Sequence, residues 1–198
     1  MLRDDKIGPA VDIAADGDLI LVVGPENIRL RVYSLTLKST SKPFSAMLGP
    51  DWKEGRALED GCAELLLPED DAVAMEYICA IIHHQNMMLP TTMAPYDILK
   101  VAVAADKYNF VDALRFASKS WLYPCNAKAA VLMVLAAAAY AFQDPQAFRN
   151  LTKSLILNHG GSYRSLSIEG MESVMHWRVF CKNSSIDSTS LFHVWLTS

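Results

Sequence analysis

DLILVVGPENIRLRVYSLTLKSTSKPFSAM, residues 18–47, decides how the rest of this chain is read. Two β-branched, alternating runs, Leu19 to Val23 and Ile28 to Val32, flank Gly24, Pro25, Glu26 and Asn27. Turn-forming residue types between two such runs predict a β-hairpin. Past Tyr33 the apolar spacing lengthens. Leu35, Leu37, Phe44, Met47 and Leu48 recur at helical intervals, and Ser41 stands ahead of Pro43 where a helix would start. The hairpin is therefore expected to feed short helices.

Working outward from that stretch, GPDWKEGRALEDGCA (residues 49–63) is rich in Gly and charge and reads as a loop, and Glu64 to Leu67 as a short strand stopped by Pro68. Asp70 or Asp71 can cap the helix that follows by accepting from its free backbone N–H groups. Ala72, Met75, Ile78, Cys79 and Ile82 form its apolar stripe, which should pack on the sheet. Residues 86–95 hold two prolines and read as a connector. Two further stripes follow, Ile98 to Tyr108 and Val111 to Leu122, with a break at Asn109 and a stop at Pro124. From Ala127 the character changes: the chain is apolar nearly all round as far as Phe142, so it must be covered on most faces. Asp144-Pro145 then opens a helix running through Phe148, Leu151, Leu155 and Ile156 to Gly160-Gly161. One more helix is expected over Ile168 to Phe180, and the apolar residues Leu191, Phe192, Val194 and Trp195 should dock the tail on the body. On the other side of the hairpin, residues 1–17 are polar, contain Gly8-Pro9, and are expected to form a flexible lead-in.

Composition narrows the function classes. The chain has 198 residues, 52% hydrophobic and 20% charged, which suits one domain or a domain with an appended subdomain. A net charge of −4 gives no general electrostatic reason to bind nucleic acid or an anionic membrane. Cys62, Cys79, Cys125 and Cys181 are scattered with no C-x-x-C, which argues for free thiols rather than a disulfide scaffold or a zinc site. The first residues are acidic and lack a signal-peptide apolar run, so an intracellular protein, cytoplasmic or nuclear, is expected. Ala129 to Phe142, 14 residues, falls short of the ~18–20 that cross a bilayer.

Catalytic arrangements find little support. There is no G-x-x-x-x-G-K-[ST], G-x-G-x-x-G, G-x-S-x-G or H-E-x-x-H. His83-His84 is a dyad, but adjacent helical residues point about 100° apart and cannot readily share a metal, so one half-buried and one solvated histidine are expected. His159, His176 and His193 are evenly spaced but lack companion ligands. Glu69, Asp70 and Asp71 read as a helix N-terminus rather than a cation site. Gly160-Gly161-Ser162 follows a helix, where the dipole has the wrong sign for an anion. No enzyme activity and no cofactor are expected.

At these residues the chain resembles the BTB/POZ family, especially the many BTB proteins of filamentous fungi. The resemblance rests on Gly17-Asp18 opening a strand, Val32-Tyr33-Ser34 closing the next, Leu37, Ser41-x-x-Phe44, Met47-Leu48, Leu67-Pro68-Glu69-Asp70-Asp71 and Ala105-Asp106-Lys107-Tyr108, in family order over about the first 125 residues. It implies an α+β fold: a small three-stranded sheet packed with helices over 18–124, followed by an all-helical, BACK-like extension and tail over 125–198. The region Ile7 to Ile13, broken by Gly8 and Pro9, departs from the N-terminal helix and strand that many dimeric members exchange.

The resemblance also implies a job. Members act as non-enzymatic protein–protein interaction modules, the sharper version being a substrate adaptor for a cullin-type ubiquitin ligase. Trp52-Lys53-Glu54 resembles the hydrophobic-x-Glu motif with which such adaptors touch the cullin scaffold. Trp52 and Glu54, with Phe44 and Leu48 nearby, would form that contact. The structural alternative for Trp52 is a loop anchor folded back onto Leu48 or Met47. In members that act in transcription an acid at the position of Asp18 lies in a charged pocket; here Lys38 is its candidate counter-charge, and Tyr33 replaces a histidine common in the family. The alternative function is a homo- or hetero-oligomerisation domain, for instance a homodimer, with a structural or transcription-regulatory role and no ubiquitin chemistry. No kelch, MATH or zinc-finger signature occurs, so an adaptor would read its target with the C-terminal helices.

Overall fold

The hairpin forms where the alternation places it. In the computed structural model, which describes residues 10–53, 55–56, 63–123 and 127–160, β2 (Leu19–Val23) pairs antiparallel with β3 (Ile28–Val32), from Leu19↔Val32 to Val23↔Ile28. Outside the described residues lie Glu54, Cys62, Cys125, Cys181, Gly161, Ser162, His176 and His193. The helix expected over 168–180, the tail to Trp195 and the boundary expected between 124 and 125 lie there too. Gly24 (φ 72°) and Asn27 (φ 54°) both occupy the left-handed region, where Gly and Asn are the residues tolerated at least cost. The Gly24 N–H donates to the Leu67 carbonyl at 2.9 Å, so the turn is also tied to the strand beyond.

That strand, β4 (Ala63–Leu67), lies parallel to β2 on the edge away from β3, with Leu19 opposite Ala63 and Val23 opposite Leu67. Among the described residues the sheet has four strands, with Val11–Asp12 as β1, in the order β1-β3-β2-β4, where three are expected from the sequence. The extra strand, β1 (Val11–Asp12), pairs parallel with β3 and comes from the segment read as a flexible lead-in. Its place is set by contacts distant in sequence. The Ile13 and Ala14 N–H groups both donate to the Arg31 carbonyl, the Arg31 guanidinium donates to Asp12 at 3.0 Å, and Ile13 is buried. Gly17 then passes so close to β3 that a β-carbon would sit 2.5 Å from the Val32 carbonyl oxygen.

Alternation gives the sheet two unlike faces. Leu19, Leu21 and Val23 of β2 share one face with Leu30, Val32, Leu65 and Leu67, all buried. Ile20 and Val22 point to the other, beside Arg29, Arg31, Glu64 and Leu66. They are buried as well, and the Arg29–Glu64 ion pair at 2.6 Å bridges β3 and β4 across them. Two long arginine stems thus flank apolar β2, and each head pairs with a carboxylate.

Contacts divide the chain into two compact units, residues 1–93 with 104–116, and residues 94–103 with 117–198. In the first, α1 (Ser34–Thr40) and α2 (Lys42–Met47) follow the hairpin, and α3 (Ala72–Ile82) follows β4. Ser41 has two tasks. Its hydroxyl caps α2 by accepting from the Phe44 N–H at 3.1 Å, and it donates to the Tyr108 carbonyl at 2.6 Å. Phe44 packs against Tyr108 and Phe110, ring centroids 4.9 and 5.7 Å away. The connector contains a 3₁₀ turn, Asn86–Met88.

Helix α4 (Pro95–Lys107) spans the division between the units and ends as the sequence predicts, with Asn109 in the left-handed region at φ 56° and the Phe110 N–H returning to the Ala105 carbonyl. The third stripe starts later than expected. Residues 111–114 are turns, and α5 covers only Arg115–Trp121.

In the second unit α6 (Ala129–Ala141) packs on α7 (Pro145–Asn158). Every residue from Leu132 to Ala139 is buried, as an all-round apolar helix requires. Gln143 turns the chain at φ 55°, and Asp144 caps α7 through the Gln146 and Ala147 N–H groups. The rings of Trp121 and Phe142, and of Tyr140 and Phe148, meet at 6.2 and 6.1 Å. Among the described residues, no helix is long and apolar enough to cross a membrane.

Candidate interaction surface

The loop after α2 presents Trp52 to solvent. Its side chain is 58% exposed, so it is not folded away onto Leu48 or Met47. The backbone beneath it is held. The Trp52 N–H donates to the Gly49 carbonyl, its carbonyl accepts from the Arg56 N–H, both at 3.2 Å, and the Arg56 guanidinium reaches the Pro50 and Asp51 carbonyls. Gly55 closes the loop so tightly that a β-carbon there would run into the Gly49 carbonyl. Glu54 lies outside the described residues. Phe44 and Leu48, expected beside Trp52 as contact residues, are instead 0% and 1% exposed. They stand one helical turn apart on the inward side of α2, where Phe44 closes the aromatic cluster with Tyr108 and Phe110.

Asp18 is a cap supplied from a distance. Tyr33, at the start of α1, has no side-chain cap to offer. The Asp18 carboxylate accepts from the Ser34 N–H at 2.7 Å and from the Ser34 hydroxyl at 2.6 Å, satisfying a free donor and placing negative charge at the helix start. Lys38 is half-buried on α1, and among the described residues no ion pair joins it to Asp18.

The acidic run divides its labour. Asp71 caps α3 by accepting from the Ala74 N–H at 2.9 Å. Asp70 is buried and accepts from the Lys107 ammonium and the Tyr108 hydroxyl, each at 2.7 Å, tying the β4–α3 corner to the end of α4. Burial, and then the Asp70 carboxylate, push the Tyr108 hydroxyl up to about 12, so it remains a neutral donor.

His83 and His84 part company as their spacing predicts. His84 is exposed and sits in the left-handed region at φ 61°. His83 is half-buried, stacks on Tyr33 with ring centroids 6.0 Å apart, and uses both nitrogens. Its Nε2 lies 3.0 Å from the Tyr33 backbone N–H, which can only donate, so Nε2 accepts and the proton sits on Nδ1, donating to the Cys79 carbonyl at 2.8 Å. Burial lowers its pKa from the ordinary 6.5, against the pull of the Cys79 carbonyl on the proton. Cys79 itself is a free, fully buried thiol that burial, and then Glu76, push up to about 12, far from a reactive thiolate. Beside His83 opens a cleft of about 770 Å³, walled by Ile13 to Ala15, the last turn of α1 and residues 81–85.

Against this geometry the comparisons are brief. No family model and no curated protein matches the chain.

The residues that do most to organise this region were visible in the sequence, but their partners were not. Ser34 with Asp18, Tyr33 with His83, and Tyr108 with both Ser41 and Asp70 are separated by 16 to 67 positions. The one local signal was the placement of Ser, His and Asp at element ends, where side chains bond to backbone.

Proposed function

We propose that this chain is a non-enzymatic protein–protein interaction module of the BTB/POZ type, and that it serves as a substrate adaptor for a cullin-type ubiquitin ligase. Trp52 carries the reading. Indole side chains are among the strongest anchors of protein interfaces when they enter a partner's pocket, and one held out on a pinned loop has already met part of the ordering cost of binding. Elsewhere in the fold Asp18, Asp70 and Asp71 are spent on holding helices, so these carboxylates serve the scaffold. Phe44 and Leu48 are buried and do not belong to the contact surface.

The test is direct binding of the purified chain to a purified cullin N-terminal region by calorimetry. Trp52→Ala with Glu54→Ala should weaken binding by at least ~30-fold, about 2 kcal/mol, with the thermal unfolding curve unmoved. Equal affinity for the double variant and the parent removes the adaptor reading. A second reading, an oligomerisation domain with a structural or transcription-regulatory role, is favoured by Leu35, which stands 74% exposed on α1 beside half-exposed Tyr33. Sedimentation of the parent and of Leu35→Asp at micromolar concentration separates the two readings: a dimer that Leu35→Asp dissociates supports oligomerisation, and a parent that is monomeric throughout counts against it.

A further inference from the structure

We propose that the Tyr33 N–H to His83 Nε2 hydrogen bond is a pH-sensitive latch that holds the β3–α1 junction to the end of α3 when His83 is neutral and lets go when it is protonated. The bond is the one place where this junction is held by a group that titrates in the physiological range. A backbone N–H cannot turn round to accept. A proton on Nε2 would set two N–H groups against each other across 3.0 Å, while the Nδ1 proton stays on the Cys79 carbonyl.

The adjoining cleft offers the imidazolium no carboxylate, and the Asp18 carboxylate is taken up by the N–H and hydroxyl of Ser34, one residue along from Tyr33. The groups that line the adjoining cleft from the lead-in (Ile13, Ala14, Ala15), from α1 (Thr36, Ser39, Thr40) and from Ala113 carry no charge. The Ser39 and Thr40 hydroxyls donate to the Thr36 carbonyl. On the side of α3 the titratable neighbours are His84, which would add like charge, and the Cys79 thiol, which stays neutral; the Tyr33 phenol stacks on the ring without charge. His84 is exposed beside it on the chain.

The direction follows from linkage. His83 has a lower pKa folded than its ordinary 6.5, so as pH falls the unfolded or unlatched chain binds the proton first. Whatever the latch contributes is therefore complete above 6.5 and is lost as pH falls from there to the folded-state value. Release loosens Tyr33 and one wall of the cleft together, since Tyr33, Thr36 and His83 all line it, while Asp18 keeps its hold on Ser34.

Hydrogen exchange at the Tyr33 amide, read by NMR and corrected for the intrinsic rate, tests the latch. Protection of that amide in the parent chain should fall at least about tenfold between about pH 7 and about pH 5, with Cys79 and Ile82 amides in α3 holding theirs. His83→Gln, whose side-chain oxygen can accept from Tyr33 but cannot titrate, should flatten the profile, and His84→Gln should keep most of the fall. A flat parent profile overturns the proposal, as does a His83→Gln profile that falls like the parent's. Should His83→Gln fail to fold, ¹⁵N imidazole shifts of the parent decide: His83 must carry its proton on Nδ1 near neutral pH, and its titration must move the Tyr33 amide with the same midpoint. The Nε2-protonated tautomer, or titration that leaves Tyr33 unmoved, overturns it.

Discussion

Each of the two units is held together internally by different means. In the first, side-chain hydrogen bonds join points far apart in sequence: Asp18 to Ser34, Tyr33 to His83, Asp70 to Tyr108, and Ser41 to Tyr108 across 67 positions. In the second, the polar side chains of Asp144, Gln146 and Thr152 bond within four residues, while α6 and α7 pack on each other with Ala136 to Ala139, Leu151 and Leu155 buried. A directional bond accepts one register and one partner. Apolar contact asks mainly for volume and shape. The first unit should therefore fail when a polar partner is removed, and the second when a volume is changed.

The largest effect is expected at Asp70. Asp70→Ala strips the Tyr108 hydroxyl and the Lys107 ammonium of a shared acceptor; Lys107 is half-exposed and can turn to water, whereas Tyr108 is 6% exposed. The loss should be about 3 kcal/mol in urea unfolding, most of it from the stranded hydroxyl. Tyr108→Phe in the Asp70→Ala background should return part of it, because both polar members are then gone. A loss below about 1 kcal/mol would mean that the corner between β4 and α3 does not depend on its polar tether, and the contrast between the units would weaken.

What the sequence discloses divides along the same line. The hairpin, Ser41 at the start of α2, the Asp71 cap, the end of α4 at Asn109 and the Asp144-Pro145 start are legible because each is a local rule: alternation, capping, or a residue tolerant of the left-handed region. β1 escapes because two residues just past Gly8-Pro9 carry no periodicity, and pairing with Leu30 and Arg31, far along the chain, makes them a strand. Phe44 and Leu48 are assigned to a surface by their place in a motif, although their i, i+4 spacing with the rest of the stripe already marks an inward face. Motif spacing locates a residue along the chain, whereas burial depends on which side of the helix meets the sheet. Trp52 needed the backbone bonds of its loop before its exposure could be known.

The matching test in the second unit is Ala137→Leu. Ala137 is 0% exposed in a helix buried all round from Leu132 to Ala139, so three added carbons must displace packed neighbours. Overpacking should cost about 2 kcal/mol. Asp144→Ala, which removes only a cap with local partners, should cost about 1 kcal/mol. If that ordering is reversed, polar contacts govern both units and the distinction drawn from hydrogen-bond range does not hold.

The smallest expected effect separates charge from stem at Arg29. Its guanidinium meets Glu64 at 2.6 Å, and its side chain is 19% exposed while that of Glu64 is 51% exposed. A pair this open to water contributes little through charge, on the order of 0.5 kcal/mol or less. The stem is another matter, because Arg29 stands beside Val22 on the face where Ile20 and Val22 are buried. Arg29→Met keeps a straight apolar stem and should be close to neutral, and raising the salt concentration should leave the parent almost unchanged. Arg29→Ala uncovers Val22 and should cost about 1 kcal/mol. Equal losses for the two variants would mean that the ion pair itself, and not the covering stem, holds this face, which would extend the rule of directional contacts in the first unit to its surface.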